Sequence, residues 1–582
     1  MISFPMKKHQ PGIILFSAMA AVLLMKLGVI RKLFELSLWP DLTYYFGLGF
    51  QPGVLLPIFG SVLTQVSGIP LVGVVLVLAS LGYLSHLMAR LHGDPISSHL
   101  PSVCMFLFLT GFDYSLYTFK SQGLLFSQTL GLIFACLIIL GWKHSKRFGG
   151  LWPFGAVLLG YPRFGAYAVL AAIAVAIGSI KERKWLSSVS AIVSGALIPL
   201  LYTNLFFTHI DTRYTFLAGL PYMDFVDNYR RFIPLALAMV SVCVLPSLKP
   251  MKQSRPVVSY SLAAVLLAGI FVLPYWNRNF HVEIGMQHAI EKNDWDKALK
   301  LAGRSEHPTR VIVMYRNIAL MNKGQLCDRM FTFPNASVDI DTPAQISQTE
   351  VCASTVFFYN GLVNYSTRWA WEMSMMFQRT LERYKYQAKV ALFTGKENPE
   401  LVRKYLRIIG RNLYQKRWVE RYSAMLDDPD LLGSDPEYRM FKQLDSFEEV
   451  KYMSSAVVEN TILNHFLLQE HPEGVMLDAS LAAAMTAKDI DMFWYFYDQL
   501  LQSGRRIPTH VGEAAILFAY ISRNQDEIDA VASELGGPQS PTVRRFINFS
   551  TDASAGNTEA CRAKYGDTYW YYSYFVKSLT TN

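Results

Sequence analysis

Asp41 stands in a stretch crowded with aromatic rings, flanked by Trp39, Tyr44 and Tyr45. A loop much further along, THIDTRYTFLAGLPYMDFVDNYRRF, gathers His209, Asp211, Arg213, Tyr214, Asp224, Asp227, Arg230 and Arg231, while Asp113 and Arg163 stand at the ends of two other apolar runs. Carboxylates beside guanidiniums and rings suit the transfer of a sugar from a lipid phosphate. The carboxylate takes the acceptor's proton, arginines hold the leaving phosphate and rings stack on the sugar. Asp41 is the catalytic acid/base candidate, because a charge in an aromatic segment has no evident structural use and costs stability unless solvated or paired. Arg163, His209, Asp211, Arg213, Tyr214, Arg230 and Arg231 are the substrate-binding candidates, with the four arginines on the phosphate. The plainer alternative for each is a solvated loop residue with no chemical task.

Other chemistries lack their residues. The sequence has no G-x-x-x-x-G-K-[ST], no H-E-x-x-H, no G-x-S-x-G, and Gly47, Gly49 and Gly53 do not have dinucleotide-binding spacing. Cys104, Cys136 and Cys243 lie in apolar runs, and Cys327, Cys352 and Cys561 are scattered without zinc spacing. Neither a metal nor a cofactor is expected. The net charge of +9 falls largely in short loops between apolar runs, which argues against nucleic acid as a partner.

The candidates must be positioned by elements of two unlike kinds. The 582 residues are 52% hydrophobic and 14% aromatic, with a mean hydropathy of +0.21, and this average hides a change of solvent near residue 280. Apolar runs at 11–30, 70–90, 97–112, 124–142, 149–160, 163–180, 187–207, 232–247 and 257–275 approach the roughly 20 residues that cross a bilayer, giving about nine spans. The runs 149–160 and 163–180 read as a hairpin broken at Gly160, Tyr161 and Pro162, with Arg163 in its turn, because the basic clusters on either side should face one compartment. Those clusters are Lys143, Lys146 and Arg147, then Lys181, Arg183 and Lys184; a third is Lys249, Lys252 and Arg255. With Lys7 and Lys8 also inside, the count places Arg90 and all three clusters in the cytoplasm and everything after Trp276 outside. Lys26, Arg31 and Lys32 go against it. The first span follows Lys7 and Lys8 but lacks an A-x-A exit, so it reads as a retained anchor rather than a cleaved signal.

Residues 33–67 are apolar and aromatic yet punctuated by Pro40, Gly47, Gly49, Pro52 and Gly53, with Gly68 just beyond. Short helices lying in the membrane interface are expected there. From Asn277 onward amphipathic segments of 12 to 16 residues alternate with short breaks, and small residues such as Ala289 and Ala298 flank a turn at Asn293 and Asp294. Small side chains in paired helices are the character of a tetratricopeptide-like α-solenoid. The final TYWYYSYF is too aromatic for water and is expected on the last helices. The fold expected is all-α: a polytopic membrane domain over 1–276, then a tetratricopeptide-like domain over 277–582 outside the cytoplasm.

One span, an external segment with an acidic residue and interfacial helices, many further spans and an external C-terminal domain: this layout resembles the GT-C class of polyprenyl-phosphate-sugar-dependent glycosyltransferases. Many members of that class carry a two-acid motif, whereas Asp41 is followed by Leu42. LSLWPDLTYYF, GFQPGVLLPIFGSVLTQVSGIPLVGVVLVL and NDWDKALKLAGR…RNIALMNKGQLCDRMFTF resemble, over nearly the whole chain, a family of uncharacterised multispanning proteins of Bacteroidetes. The resemblances imply a bacterial inner-membrane protein with a periplasmic C-terminal domain, a lipid phosphate sugar as partner and an envelope acceptor. The rival is a non-catalytic scaffold whose residues 277–582 recruit an envelope protein. A transporter is disfavoured by the scarcity of charges within the spans and the lack of an inverted repeat.

Overall fold

The computed structural model describes residues 10–47, 50–94, 96–120, 122–145, 149–222, 229–249, 256–335, 348–395, 398–445, 458–522, 524–554, 556 and 558–577. Among these the chain is all-helical, with no β-strand. It divides into two compact units. The first comprises Met1–Trp276 together with Ser374–Tyr384 and Arg407–Val419, and the second comprises Asn277–Met373, Lys385–Leu406 and Glu420–Asn582.

In the first unit, four described helices are long and apolar enough to cross a bilayer: Pro70–His92, Leu124–His144, Trp185–Leu205 and Arg230–Ser247. A fifth span is formed if Pro11–Met25 and Leu27–Glu35, bent by 66° at Lys26, count as one crossing. Shorter apolar helices stand at Leu55–Val66, Ser97–Thr110, Ala166–Lys181 and Tyr260–Val272. The chain is a membrane protein.

The unit has one basic end. Lys143 Nζ donates to the carbonyls of Leu91 at 2.8 Å and Pro246 at 3.3 Å, and Lys181 Nζ donates to that of Ser247. Lys184 lies over the Trp142 ring, 5.2 Å from its centre. Lysines in the last turns of helices satisfy carbonyls left without an intrahelical donor and oppose the negative end of the helix dipole. Lys7, Lys8, Lys146, Arg147, Lys252 and Arg255 lie outside the described residues. The three cations that oppose the charge rule are each matched. Lys26, buried at the bend, donates to the Tyr275 carbonyl and lies 4.7 Å from the Trp276 ring. Lys32 pairs with Glu382 at 2.5 Å, and Arg31 with Glu35 at 3.2 Å.

Helices Trp152–Phe164 and Ala166–Lys181 fold back on one another at Gly165. A Cβ on Gly160 would lie 3.2 Å from that of Ala168, whereas eight residues along one straight helix span about 12 Å. The break is thus not at Gly160–Pro162, and Arg163 lies in the last turn of the first helix rather than in the turn. Pro162 fails to stop the helix for a visible reason. Its missing N–H frees the Leu158 carbonyl, and the Tyr202 hydroxyl donates to that carbonyl at 3.1 Å.

The second unit is built from helices joined by short turns. Arg278–Glu291 meets Trp295–Ala302 around Asn293, whose φ is +56°, with Asp294 capping the next helix through Lys297 N. Ala289 and Ala298 are buried there. Tyr569, Trp570 and Tyr572 of the aromatic tail are buried, with Trp570 Nε1 donating to the Glu513 carbonyl at 2.7 Å. All six cysteines are buried.

A buried ion pair sits in this unit. Glu437 accepts from Lys389 Nζ at 2.6 Å and from the hydroxyls of Tyr359 and Tyr422, each at 2.8 Å. Burial alone opposes its ionisation, but the Lys389 ammonium and the two hydroxyls outweigh that and hold the carboxyl below its ordinary range. Glu437→Gln strands the Lys389 charge among rings, and a loss of about 3–5 kcal/mol is expected in the thermal unfolding of the full chain. Lys389→Met with Glu437→Leu should recover much of it. A wild-type melting curve for Glu437→Gln would show that the pair is not buried as described.

Candidate functional site

The end of the first unit opposite the lysines brings three sequence segments together backbone on backbone. Gly53, Gly165 and Gly219 all have positive φ, +88°, +56° and +84°. Gly53 N donates to the Pro162 carbonyl at 3.2 Å, and Ala166 N to that of Ala218 at 2.7 Å. A Cβ on Gly53 would stand 2.9 Å from the Gly219 Cα, and one on Gly165 only 2.1 Å from the Ala218 oxygen. Glycine is required because side chains would hold the strands of chain apart. The 33–67 segment, the helical hairpin tip and the loop after the 185–205 helix therefore meet at one junction. Rings close over it: Phe50 lies 5.1 Å from Phe207, which lies 6.5 Å from His209.

Each acidic candidate that is described turns out to cap a short helix. Asp41 Oδ1 accepts from Thr43 N at 3.1 Å and Tyr44 N at 3.4 Å, opening the turn Leu42–Tyr45. Asp113 caps Tyr114–Tyr117 through Ser115 N, and Asp211 caps Thr212–Leu217 through Arg213 N, both at 2.9 Å. An Asp just before a short helix satisfies an orphan amide and the positive end of the dipole. This corrects the expectation that Asp41 has no structural use.

The carboxylates differ in what else they hold. Asp113 pairs with Arg231, whose Nη1 also donates to Ser115 Oγ at 2.6 Å. Asp211 is bound by the Arg213 guanidinium at 2.6 Å, and that bond, with the Arg213 backbone amide, holds its carboxyl below the ordinary range. Asp41 is the loosest: its Oδ2 lies 4.0 Å from Arg411 Nη1, and both side chains are at least half exposed.

The structure brings to the Asp41 segment cations that sequence reasoning did not select. Besides Arg411, the Arg379 guanidinium lies over Tyr44 at 4.9 Å, and Tyr44 meets Tyr45 edge-on at 5.6 Å. Four further bonds hold the segment in place. Trp39 N donates to Asn412 Oδ1 at 2.6 Å, Leu413 N to Gln65 Oε1 at 3.2 Å, Leu38 N to Gln122 Oε1 at 3.3 Å, and Gln122 Nε2 to the Arg379 carbonyl at 2.8 Å. The only advance sign was the density of Arg407, Arg411, Lys416 and Arg417 in one short stretch.

Of the selected cations, Arg163 donates to the Leu159 carbonyl at 2.5 Å and is exposed, Arg213 is engaged by Asp211, Arg231 by Asp113, and Arg230 is exposed. Tyr214 meets Tyr222 edge-on at 6.0 Å. Asp224 and Asp227 lie outside the described residues. The arrangement thus offers an exposed carboxylate 4.0 Å from one guanidinium, a second guanidinium over the neighbouring Tyr44 ring, and the exposed rings of Trp39, Tyr44 and Phe46.

Comparison with curated proteins and with solved structures gives no match. A family model described as "Family of unknown function (DUF6057)" matches residues 33–576, a span that takes in the Asp41 segment, the glycine junction and nearly all of the second unit, and the chain belongs to that family.

Proposed function

We propose that this is a bacterial inner-membrane protein of nine crossings with a tetratricopeptide-like periplasmic domain, and that it works as a GT-C-like glycosyltransferase. It moves a sugar from a polyprenyl-phosphate carrier to an envelope acceptor. The observation that carries the reading is the exposed Asp41 carboxylate, with one oxygen unoccupied by its cap and facing Arg411, on an aromatic segment between membrane helices. The acceptor hydroxyl gives its proton to Asp41 as its oxygen bonds to the anomeric carbon. The bond from that carbon to the phosphate oxygen breaks, and polyprenyl phosphate departs with its charge met by Arg411 and Arg379. The basic end of the first unit, read by the positive-inside rule, supports an outer-face position for Asp41.

A second reading has its own support: capping and the Arg411 contact give Asp41 a structural task, as expected in a scaffold that recruits an envelope protein. The lipids decide. Cells lacking a transferase leave its donor unspent, so a lipid-linked sugar should accumulate in the deletion strain by mass spectrometry and return to normal on complementation. An unchanged lipid-linked sugar pool sinks the transferase and leaves the scaffold.

A further inference from the structure

The two short stretches of late sequence that belong to the first unit, Ser374–Tyr384 and Arg407–Val419, have an unusual surface. Their exposed side chains are of two kinds. Met375, Met376, Leu413 and Tyr414 are apolar or aromatic, and Arg379, Arg407, Arg411, Lys416 and Arg417 are cationic. The one carboxylate of these stretches, Glu382, is turned to Lys32. Met375 is 82% exposed. Beside them, and bonded to them through Asn412 and Gln122, lies the interfacial segment with exposed Trp39, Leu42, Tyr44 and Phe46.

Stretches of apolar chains and cations that carry no exposed carboxylate of their own, with Asp41 of the adjoining segment set against Arg411, are what the headgroup layer of an anionic bilayer accepts: the apolar groups enter the acyl boundary and the remaining cations meet lipid phosphates. In water alone, such apolar exposure is a liability. We propose that Ser374–Tyr384 and Arg407–Val419 form a second membrane anchor, seated in the headgroups of anionic phospholipid, with Met375, Leu413 and Tyr414 inserted and Arg407, Lys416 and Arg417 on the phosphates. The anchor holds the Asp41 segment at headgroup depth whether or not that segment is catalytic.

The test uses the full chain in lipid nanodiscs. The native cysteines are all buried, so an environment-sensitive maleimide reports on Met375→Cys, Leu413→Cys and, as an aqueous control, Leu468→Cys, which is 79% exposed beside exposed Glu470. In phosphatidylglycerol discs, iodide should quench the probes at 375 and 413 several-fold less than at 468, and lipid-borne nitroxides should quench them several-fold more. Arg407→Gln with Lys416→Gln and Arg417→Gln should erase much of that difference, as should discs of phosphatidylcholine alone. Equal iodide quenching at the three positions overturns the anchor. Protection indifferent to lipid charge, or abolished by added inorganic phosphate, overturns the assignment of anionic lipid as the partner.

Discussion

Gly165→Val should yield almost no folded protein, while Gly155→Ala, in the same helical hairpin, should be neutral or gain about 0.5–1 kcal/mol from reduced backbone freedom in the unfolded chain. The contrast comes from geometry. Gly165 has φ +56° and ψ −131°, a region essentially closed to residues with a Cβ, and forcing one in costs of order 1–3 kcal/mol before any contact is counted. A Cβ there would also stand 2.1 Å from the Ala218 oxygen, which accepts from Ala166 N. A branched side chain must push the hairpin tip off the loop, and Gly53 loses its seat between them. Gly155 lies in the helix with nothing within 4 Å of its would-be Cβ. Detergent-solubilised yield and melting temperature read the difference. A Gly165→Val protein that melts like the wild type would show that the three segments do not meet at this junction.

What the sequence made legible follows from the range of the forces involved. Apolar runs announce membrane helices because each must carry its own hydrophobic length. Hydropathy placed the runs that became Pro70–His92, Leu124–His144 and Trp185–Leu205 nearly to their ends. It misjudged the break at Pro162, because what rescues a helix there is the Tyr202 hydroxyl, contributed from another helix. Asp41 was visible as an oddity, but its cap was readable too. Asp followed by Leu-Thr-Tyr is an N-cap opening a turn, and the same holds for Asp113 and Asp211. Arg379 and Arg411 were out of reach, since no local pattern links residue 41 to residues more than three hundred positions later. The different settings of Arg230 and Arg231 were hidden for the same reason: Arg230 is exposed, whereas Arg231 is taken up by Asp113, from a different part of the chain.

Asp41→Asn should separate chemistry from structure at that site because asparagine caps a helix about as well as aspartate. Its side-chain oxygen can still accept from Thr43 N and Tyr44 N, which bind only Oδ1. The variant loses the negative charge toward Arg411, a 4.0 Å contact between exposed groups that carries little stability. Folding should therefore stay within roughly 0.5 kcal/mol of wild type. If Asp41 is the general base, removing it costs about 10²- to 10⁴-fold in rate, and cells carrying Asp41→Asn should accumulate the same lipid-linked sugar as the deletion strain. Asp41→Ala supplies the complementary control, because it loses the cap as well. It should melt lower by about 1 kcal/mol and be no less inactive. The informative result is the pair: Asn stable and inactive, Ala unstable and inactive. If Asn is stable and restores a normal lipid-linked sugar pool while only Ala fails, the carboxylate serves the turn Leu42–Tyr45 alone. Asp41 would then be a cap and the transferase assignment at this site would fall.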